Sequence, residues 1–323
     1  MANAFTDILS GASLGTNLVQ TAYDRLLEFN LRSTPMFRSI ADKKPAQQAM
    51  PGSTVTFQLY NDLSAATGTL AETTDPDAVA VPATSTVSVT LNEYGNVVLT
   101  TRKLELFSLS DIDPAVANMV AFNCADSIDN IVQTVLRGGT NVIRESAGAL
   151  STTAAVTTVT ATDTAKARDF RYAVTKLRAN NVVPKNNGLY TVHLHPEVSH
   201  DLRVDSAAAN WRTPHEYSSP DAIWAGELGT FEGARYIESP RCYNAQDGSG
   251  TGATQTRVYR SYVTGAQALA EAVAEEPHVV QGPVVDKLGR FRPLGWYAVM
   301  GHTLYRQAAV WRVETASSVR PNA

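Results

Sequence analysis

Three of the six histidines in this sequence lie within eight residues, in the stretch HLHPEVSH. His193 and His195 are two positions apart, His200 follows five positions later, and Glu197 lies between them. Imidazole nitrogens and carboxylate oxygens at such short spacing are ligands for zinc and other transition metals. One hypothesis for this chain is therefore a metal-dependent enzyme that uses His193, His195 and His200.

The residues around these histidines favour a different interpretation. On a strand that ends at Pro196, the first two histidines share one face, while the apolar residues Val192 and Leu194 share the other. The apolar face is the one that a strand buries. We therefore expect His193 and His195 to face solvent or a neighbouring chain, where their protonation near pH 6 could affect an interface.

The composition argues against several classes of protein. Apolar residues make up 44% of the 323 residues and charged residues 18%, which suits a protein that packs against copies of itself. The formal net charge of −4 argues against strong binding of nucleic acid through a basic surface. Cys124 and Cys242 form no disulfide framework, and Cys124 falls in an apolar helical pattern that predicts a buried position. We expect no signal peptide, no membrane span and no cofactor.

The first hundred residues predict an arm followed by a long hairpin. An amphipathic helix is expected over 17–33, in an arm that comprises residues 1–51. Residues 53–60 and 85–103 alternate between apolar and polar side chains, as strands do, and Gly95 interrupts the second strand as a bulge or bend. Because a two-stranded hairpin is only marginally stable alone, we expect it to need a partner surface.

The remainder of the chain predicts a mixed α+β fold. The clearest helix is expected over 114–137, with Asp113 as its N-cap and an apolar stripe along its length. Short helices and strands alternate from 165 to 285, and two further strands are expected near the C-terminus. The apolar stripe consists of Val116, Met119, Val120, Cys124, Ile128, Ile131, Val132 and Val135.

Charge is unevenly distributed between the hairpin and the C-terminal segment. Between Gly52 and Thr101 there are five carboxylates and no Lys, Arg or His. From Asp286 to the end, six Lys and Arg residues face two carboxylates. We predict that the acidic arm of one copy docks on the basic segment of another, and a solvated acidic loop that contacts nothing is the alternative. The docking residues would be Asp62, Glu72, Asp75, Asp77 and Glu93 with Lys287, Arg290 and Arg292.

With these elements in order, the sequence resembles the major capsid proteins of tailed bacteriophages, which have the Hong Kong 97-like fold. The resemblance covers essentially the whole chain and is carried by the order of elements and by the ending VVDKLGRFRPLGWYAVMGHTLYRQAAVWRVETASSV. The residues of this ending that match one branch of these coat proteins are Gly282, Pro283, Asp286, Gly295, Trp296 and Arg312.

The resemblance implies a domain organisation. Residues 1–51 would be the N-terminal arm, and 52–103 the extended β-hairpin loop. Residues 104–164 and 286–323 would form a peripheral domain with the spine helix 114–137, and 165–285 an axial domain.

The resemblance also implies a structural function and no enzymatic activity. Copies would self-assemble into hexamers and pentamers of an icosahedral head that encloses double-stranded DNA. An encapsulin-like nanocompartment shell, with protein cargo instead of DNA, is the alternative within the fold.

The implied partners are other copies of the chain, a separate scaffolding protein, a portal and in some phages a decoration protein. Assembly would take place in the host cytoplasm and end in the virion. Packaged DNA would be contacted only weakly, through arm residues Arg32, Arg38, Lys43 and Lys44.

One testable expectation concerns covalent cross-links. Some coat proteins of this fold join neighbours through a loop lysine and an asparagine, but no lysine lies between Lys44 and Lys103 here. Assembled shells boiled in detergent should therefore run as a single monomer band in denaturing electrophoresis. A ladder of higher bands under reducing conditions would contradict this expectation.

Overall fold

The computed structural model describes residues 33–45, 53–107, 112–205 and 227–320, except positions 71, 74, 76, 186, 187, 284, 285 and 287. The helix predicted over 17–33 and most of the predicted arm lie outside these residues. Two larger sheets and one long helix organise the described part of the chain. None of the described helices is both long enough and apolar enough to cross a membrane.

The predicted hairpin is confirmed in part, because only residues 85–90 of the expected strand 85–103 pair with the first strand, whereas residues 92–101 lie in another sheet. Strands β2 (Thr54–Leu59) and β3 (Ser85–Thr90) pair antiparallel, and residues 60–84 between them carry no regular secondary structure. The partner surface comes from the same chain, which the sequence did not predict. The hairpin packs on a second sheet, where Val89 clusters with Ala270 and Ala272 in a wholly buried contact.

That second sheet has four strands in the order β1, β12, β13, β4. Their bounds are Ala41–Pro45 for β1, Leu269–Gln281 for β12, Phe291–Leu304 for β13 and Asn92–Thr101 for β4. The predicted bulge at Gly95 is wrong, because β4 and β13 keep one continuous register through the Gly95–Tyr297 pair. Gly95 instead permits a close approach of backbones, since a Cβ there would lie 2.8 Å from the carbonyl oxygen of Trp296.

The predicted long helix is confirmed. It follows the short helix α1 (Arg102–Phe107) and runs from Ile112 to Arg137 as α2. Val116, Val120 and Ile128 pack on the four-stranded sheet against Trp296 and Met300. The predicted apolar stripe is mostly correct, although Met119 is 47% exposed and Cys124 is only partly buried.

The largest sheet has the strand order β6, β5, β14, β11, β7, β9, β8, with β10 paired to β11. Helices α3 (Ala167–Ala179) and α4 (Pro196–Val204) pack on one face. The last turns of α2 and the segment around Phe37 pack on the other, beside Tyr262. The strand bounds are Val142–Ser146 (β5), Ala149–Ser151 (β6), Tyr190–Leu194 (β7), Glu227–Phe231 (β8), Ala234–Glu238 (β9), Asn244–Gln246 (β10), Arg257–Thr264 (β11) and Val310–Thr315 (β14).

The sheets do not divide at the domain boundaries expected from the sequence. β5, β6 and β14 were expected in the unit that contains α2, but they belong to the largest sheet. β12 was expected in the 165–285 unit, but it lies in the four-stranded sheet. The reason is pairing across long sequence separations, because β14 pairs with both β11 and β5.

A pair of buried carboxylates lies at the start of α3. The side chains of Asp169 and Glu145 are both fully buried. The Lys166 ammonium lies 3.0 Å from the Glu145 carboxylate, and the Lys166 backbone N–H donates to Asp169 Oδ2 at 3.0 Å. Burial, followed by the nearby charge of Glu145, raises the pKa of Asp169 to about 7.

This raised pKa predicts a pH dependence of stability. Between the unfolded pKa of about 3.9 and the folded pKa of about 7, folded Asp169 holds a proton that the unfolded chain has lost. The free energy of unfolding should therefore fall as the pH rises through this window. Asp169→Asn should remove this contribution, so its melting temperature should vary by several degrees less than that of the wild type between pH 5 and pH 7.5.

Thermal unfolding followed by calorimetry at both pH values measures this difference. Asp62→Asn is the matched control because Asp62 is exposed. Equal pH dependence in the wild type and Asp169→Asn would contradict the prediction.

Candidate functional site

The acidic loop lies between β2 and β3. Asp62, Glu72, Asp75 and Asp77 are all exposed, and none of them forms an ion pair with another described residue. The same loop exposes large apolar side chains that a solvated linker would not need. These side chains are Tyr60 (76% exposed), Leu63, Leu70, Val79 and Val81.

Glu93, the fifth predicted acidic residue, does not belong to this loop. It lies in β4 opposite Val299, on the four-stranded sheet. There it faces Tyr297, whose pKa is raised by burial and by the carboxylates of Glu93 and Glu275. The predicted grouping of Glu93 with the loop carboxylates is therefore wrong in location.

The predicted basic residues lie at the far end of the four-stranded sheet. Arg290 is 60% exposed, pairs with Asp286, and stacks its guanidinium 5.5 Å from the centre of the Phe291 ring. Arg292 is exposed at the start of β13, and Lys287 lies outside the described residues. Within the described parts of the chain, no ion pair joins these arginines to the acidic loop. The chain thus presents the two charged surfaces separately.

An apolar surface lies at the same end of the sheet, on the face opposite to the Arg292 side chain. Val97, Val280, Pro293 and Gly295 line a shallow cavity of about 290 Å³ on this end of the sheet. Val97 is 59% exposed, as is Leu99 beside it. A Cβ on Gly295 would lie only 2.5 Å from the carbonyl oxygen of Asn96. Glycine at this position therefore lets β13 and β4 approach closely, and the floor is flat there.

The arm residues that are described are bound to their own chain. The guanidinium of Arg38 donates to Glu271 from Nε at 2.9 Å and from Nη2 at 2.5 Å, and it also binds Glu276 at 2.9 Å. The Lys43 ammonium lies 2.9 Å from the same Glu276. Arg38 and Lys43 were expected to contact DNA or another subunit, but intrachain carboxylates already neutralise them.

The side chains of the other two arm cations lie outside the described residues. Arg32 lies outside the described residues, and Lys44 is described only through its backbone, which pairs with Ala272 in the parallel β1–β12 ladder.

Glu271 on β12 holds the segment around Arg38 against the four-stranded sheet. Its side chain is 1% exposed, and it stands opposite His302 in the β12–β13 register, with the His302 imidazole 3.8 Å away. Burial alone would raise the pKa of Glu271, but His302 and Arg38 outweigh it and lower the pKa to about 2. The carboxylate is therefore ionised, and Arg38 is the only group that donates a full hydrogen bond to it among the described residues.

Two further contacts that the sequence did not predict attach the same segment. The carboxylate of Asp129 on α2 accepts the backbone N–H groups of Met36 at 2.9 Å and Phe37 at 2.7 Å. The Lys185 ammonium donates to the carbonyl oxygen of Ile40 at 2.6 Å. Both are tertiary contacts across about a hundred residues or more, and no local sequence signal marks them.

The three candidate metal ligands do not form a site. His193 is 2% exposed in the core, with its ring 5.5 Å from that of Phe37, so the expectation that it faces solvent or a neighbour is wrong. β7 is buried on both faces because α3 and α4 cover one side and the Phe37 segment covers the other. Burial, with a smaller effect of the Lys185 charge, lowers the pKa of His193 to about 4.

His195 and His200 have other roles. His195 is the N-cap of α4 and accepts the backbone N–H of Glu197, while His200 is exposed beside Asp201. Among the described residues, no group of three or more His, Cys, Asp or Glu is placed to hold a metal ion.

Comparisons with known proteins identify the chain. Residues 16–318 match the model of a family described as phage capsid protein. The chain belongs to the phage capsid protein family. No curated protein matches it.

Solved capsid structures share the fold of this phage capsid protein. The capsid of cyanophage Pam1 aligns with a TM-score of 0.71 at 15% identity, over 96% of this chain and 100% of that one. The capsid of Ralstonia phage GP4 gives 0.70 at 15% identity, over 97% and 98% of the two chains. The acid-stable capsid of Helicobacter pylori bacteriophage KHP30 gives 0.69 at 14% identity, over 98% and 99%.

The predicted α+β Hong Kong 97-like fold and the role as a structural major capsid protein are confirmed. Nothing in the comparisons supports the encapsulin-like or metalloenzyme alternatives.

Glu271 and Glu276 both bind Arg38, but they should contribute differently to the free energy of unfolding. Glu271→Gln should lower the free energy of unfolding by about 3 kcal/mol, because it leaves Arg38 without its buried partner. Glu276→Gln should cost at most about 1 kcal/mol, because Glu276 is 56% exposed. Denaturant unfolding measures both values.

Hydrogen exchange of the amides in β1 provides a second measurement. Faster exchange in Glu271→Gln than in Glu276→Gln is expected, since β1 follows Arg38 directly in the chain. Equal effects of the two substitutions would show that the buried pair does not hold the segment.

Proposed function

We propose that this phage capsid protein forms the hexamers and pentamers of an icosahedral head around double-stranded DNA. The observation that carries the proposal is the separation of two complementary surfaces on one chain. The acidic, apolar loop 60–84 has no ion-pair partner among the described residues, and the exposed arginines at the start of β13 lie at the same end of the sheet as an apolar floor. A ring closes when one surface of each subunit meets a different surface of the next.

The proposed docking matches both chemistry and shape. Loop side chains such as Leu70 and Val79 would cover the apolar floor around Val97 and Gly295. The loop carboxylates would pair with Arg290 and Arg292 at its border. Arg290 would then exchange its exposed intrachain pair with Asp286 for an intersubunit pair, and this exchange costs little because exposed pairs contribute about 0–1 kcal/mol.

The sheets suggest an amended domain assignment. The four-stranded sheet with α2 would be the peripheral domain, and the eight-stranded sheet with α3 and α4 the axial domain that points to the ring centre. Under this assignment β5, β6 and β14 are axial and β12 is peripheral, which follows the pairing of the strands.

The remaining partners follow from the family. Assembly in the host cytoplasm with a separate scaffolding protein and a portal, with or without a decoration protein, is proposed. Contact with packaged DNA is proposed to be weak, because the net charge is −4 and Arg38 and Lys43 are paired with carboxylates of the same chain.

Charge reversal tests the ring interface. The double substitution Arg290→Glu and Arg292→Glu should abolish shells while leaving the melting temperature of the monomer nearly unchanged, because both side chains are exposed. Negative-stain microscopy and sedimentation velocity measure assembly. Adding Asp75→Arg and Asp77→Arg to the same chain should restore shells.

The matched control reverses two exposed arginines elsewhere, Arg178→Glu with Arg203→Glu, and should still form shells. Normal assembly of the Arg290 and Arg292 double variant would exclude the proposed docking.

A further inference from the structure

The outer edge of β4 has no strand partner among the described residues. β4 is the last strand of the four-stranded sheet, and no described strand pairs with its outer side. Its exposed apolar run consists of Val97, Val98 and Leu99, which are 59%, 40% and 59% exposed. Folded proteins usually interrupt such an edge with charges, prolines or bulges, but there is none of these between Glu93 and Arg102.

The backbone of this edge is free to pair. The Arg102 N–H donates to the carbonyl oxygen of Arg290, so even-numbered residues of β4 direct their backbone groups towards β13. Odd-numbered residues therefore direct theirs outward. In agreement, the Val97 N–H donates at 2.9 Å to the side-chain Oδ1 of the preceding Asn96 rather than to a strand. A side chain that can rotate away covers this donor.

The sequence of the edge is complementary to itself. In an antiparallel pair of two β4 strands related by a two-fold axis at Val98, Val97 of each copy faces Leu99 of the other. These two residues direct their backbone groups outward, so they exchange both hydrogen bonds. Val98 faces Val98 as a non-hydrogen-bonded pair. Gly95 falls opposite Thr101, so the paired segment reaches the last residue of β4 at each end.

We propose that the edge of β4 pairs with the same edge of a second copy, antiparallel about Val98, to give a continuous sheet across two subunits. The same surface serves both partners, so the contact closes at two copies and does not propagate. Such a two-fold contact would join neighbouring rings. The proposal rests on the proposed function only in taking another copy as the partner. The loop 60–84 does not compete for this edge, because its proposed docking covers the face of the sheet around Val97 and Gly295, whereas the Val98 side chain points to the opposite face.

Disulfide trapping tests this pairing. In a non-hydrogen-bonded antiparallel pair the Cα atoms are about 4.5 Å apart, within the range that a disulfide spans. Val98→Cys should therefore give mostly disulfide-linked dimers after mild oxidation of assembled or concentrated protein, as seen in non-reducing electrophoresis. The wild type is the background control, since Cys242 is buried and Cys124 is partly buried.

A second cysteine variant tests whether the loop 60–84 of another copy occupies the edge of β4 instead. Val79→Cys places a thiol in the exposed loop and should not link to Val98→Cys when the two variants are mixed. Monomeric Val98→Cys, or a mixed dimer with Val79→Cys, would overturn the proposal. Disulfide-linked dimers without closed shells would support the edge pairing and contradict the proposed function. Closed shells in which Val98→Cys stays monomeric would support the proposed function and contradict the edge pairing.

A blocking substitution gives an independent measurement. Val98→Lys should leave rings intact but prevent closed shells in sedimentation velocity. A lysine at the centre of the edge opposes strand addition, and Val98 points to the opposite face of β4 from the apolar floor. Val183→Lys, at a 67% exposed site, is the matched control and should assemble normally. Closed shells from Val98→Lys at the wild-type yield would overturn the proposal.

Discussion

The rest of the structure depends on α2, which packs against both sheets. Its first half packs on the four-stranded sheet through residues such as Val120, and its last turns pack on the eight-stranded sheet through Val132 and Leu136. At 1.5 Å per residue its 26 residues span about 39 Å, so one rigid element determines how the two sheets are placed. A chain with only 18% charged residues can achieve this because the contact is apolar along almost its whole length.

Charged side chains, two of them buried, hold one segment of the described chain in place. Asp129, Glu271 and Lys185 all attach residues 36–41 to the body of the chain. Each charged group is neutralised by a guanidinium, a carboxylate or backbone dipoles, as burial requires. Two of the cations that looked available for DNA in the sequence, Arg38 and Lys43, are therefore part of the intrachain structure.

The sequence predicted those helices and strands in which buried apolar residues recur at regular helical or strand spacing. The helix over 114–137 and the hairpin strands around Val55 and Val87 were found because one face of each is apolar. The capsid fold followed from the order of those elements. The exposure of His193 was wrongly predicted. Alternation along a strand indicates which face is buried only when the other face is exposed, whereas β7 has helices on one side and the Phe37 segment on the other.

The candidate site was only partly predictable for a related reason. The loop carboxylates and Arg290 are local features, and their exposure matches what composition implies. The apolar floor beside them is assembled from β4, β12 and β13, strands separated by almost two hundred residues. The sheet membership of β14 and the attachment through Glu271 likewise depend on pairings that one sequence does not reveal.

The contact between the hairpin and its own sheet has a mechanical consequence. Gly301 lies so close to β3 that a Cβ would stand 2.2 Å from the carbonyl oxygen of Thr90, and Val89 is fully buried beside it. The base of the hairpin is therefore packed tightly against its own sheet, and this contact fixes the direction in which the loop extends from the subunit. With the docking proposed above, packing inside each subunit would therefore fix the direction in which its loop reaches the neighbouring subunit.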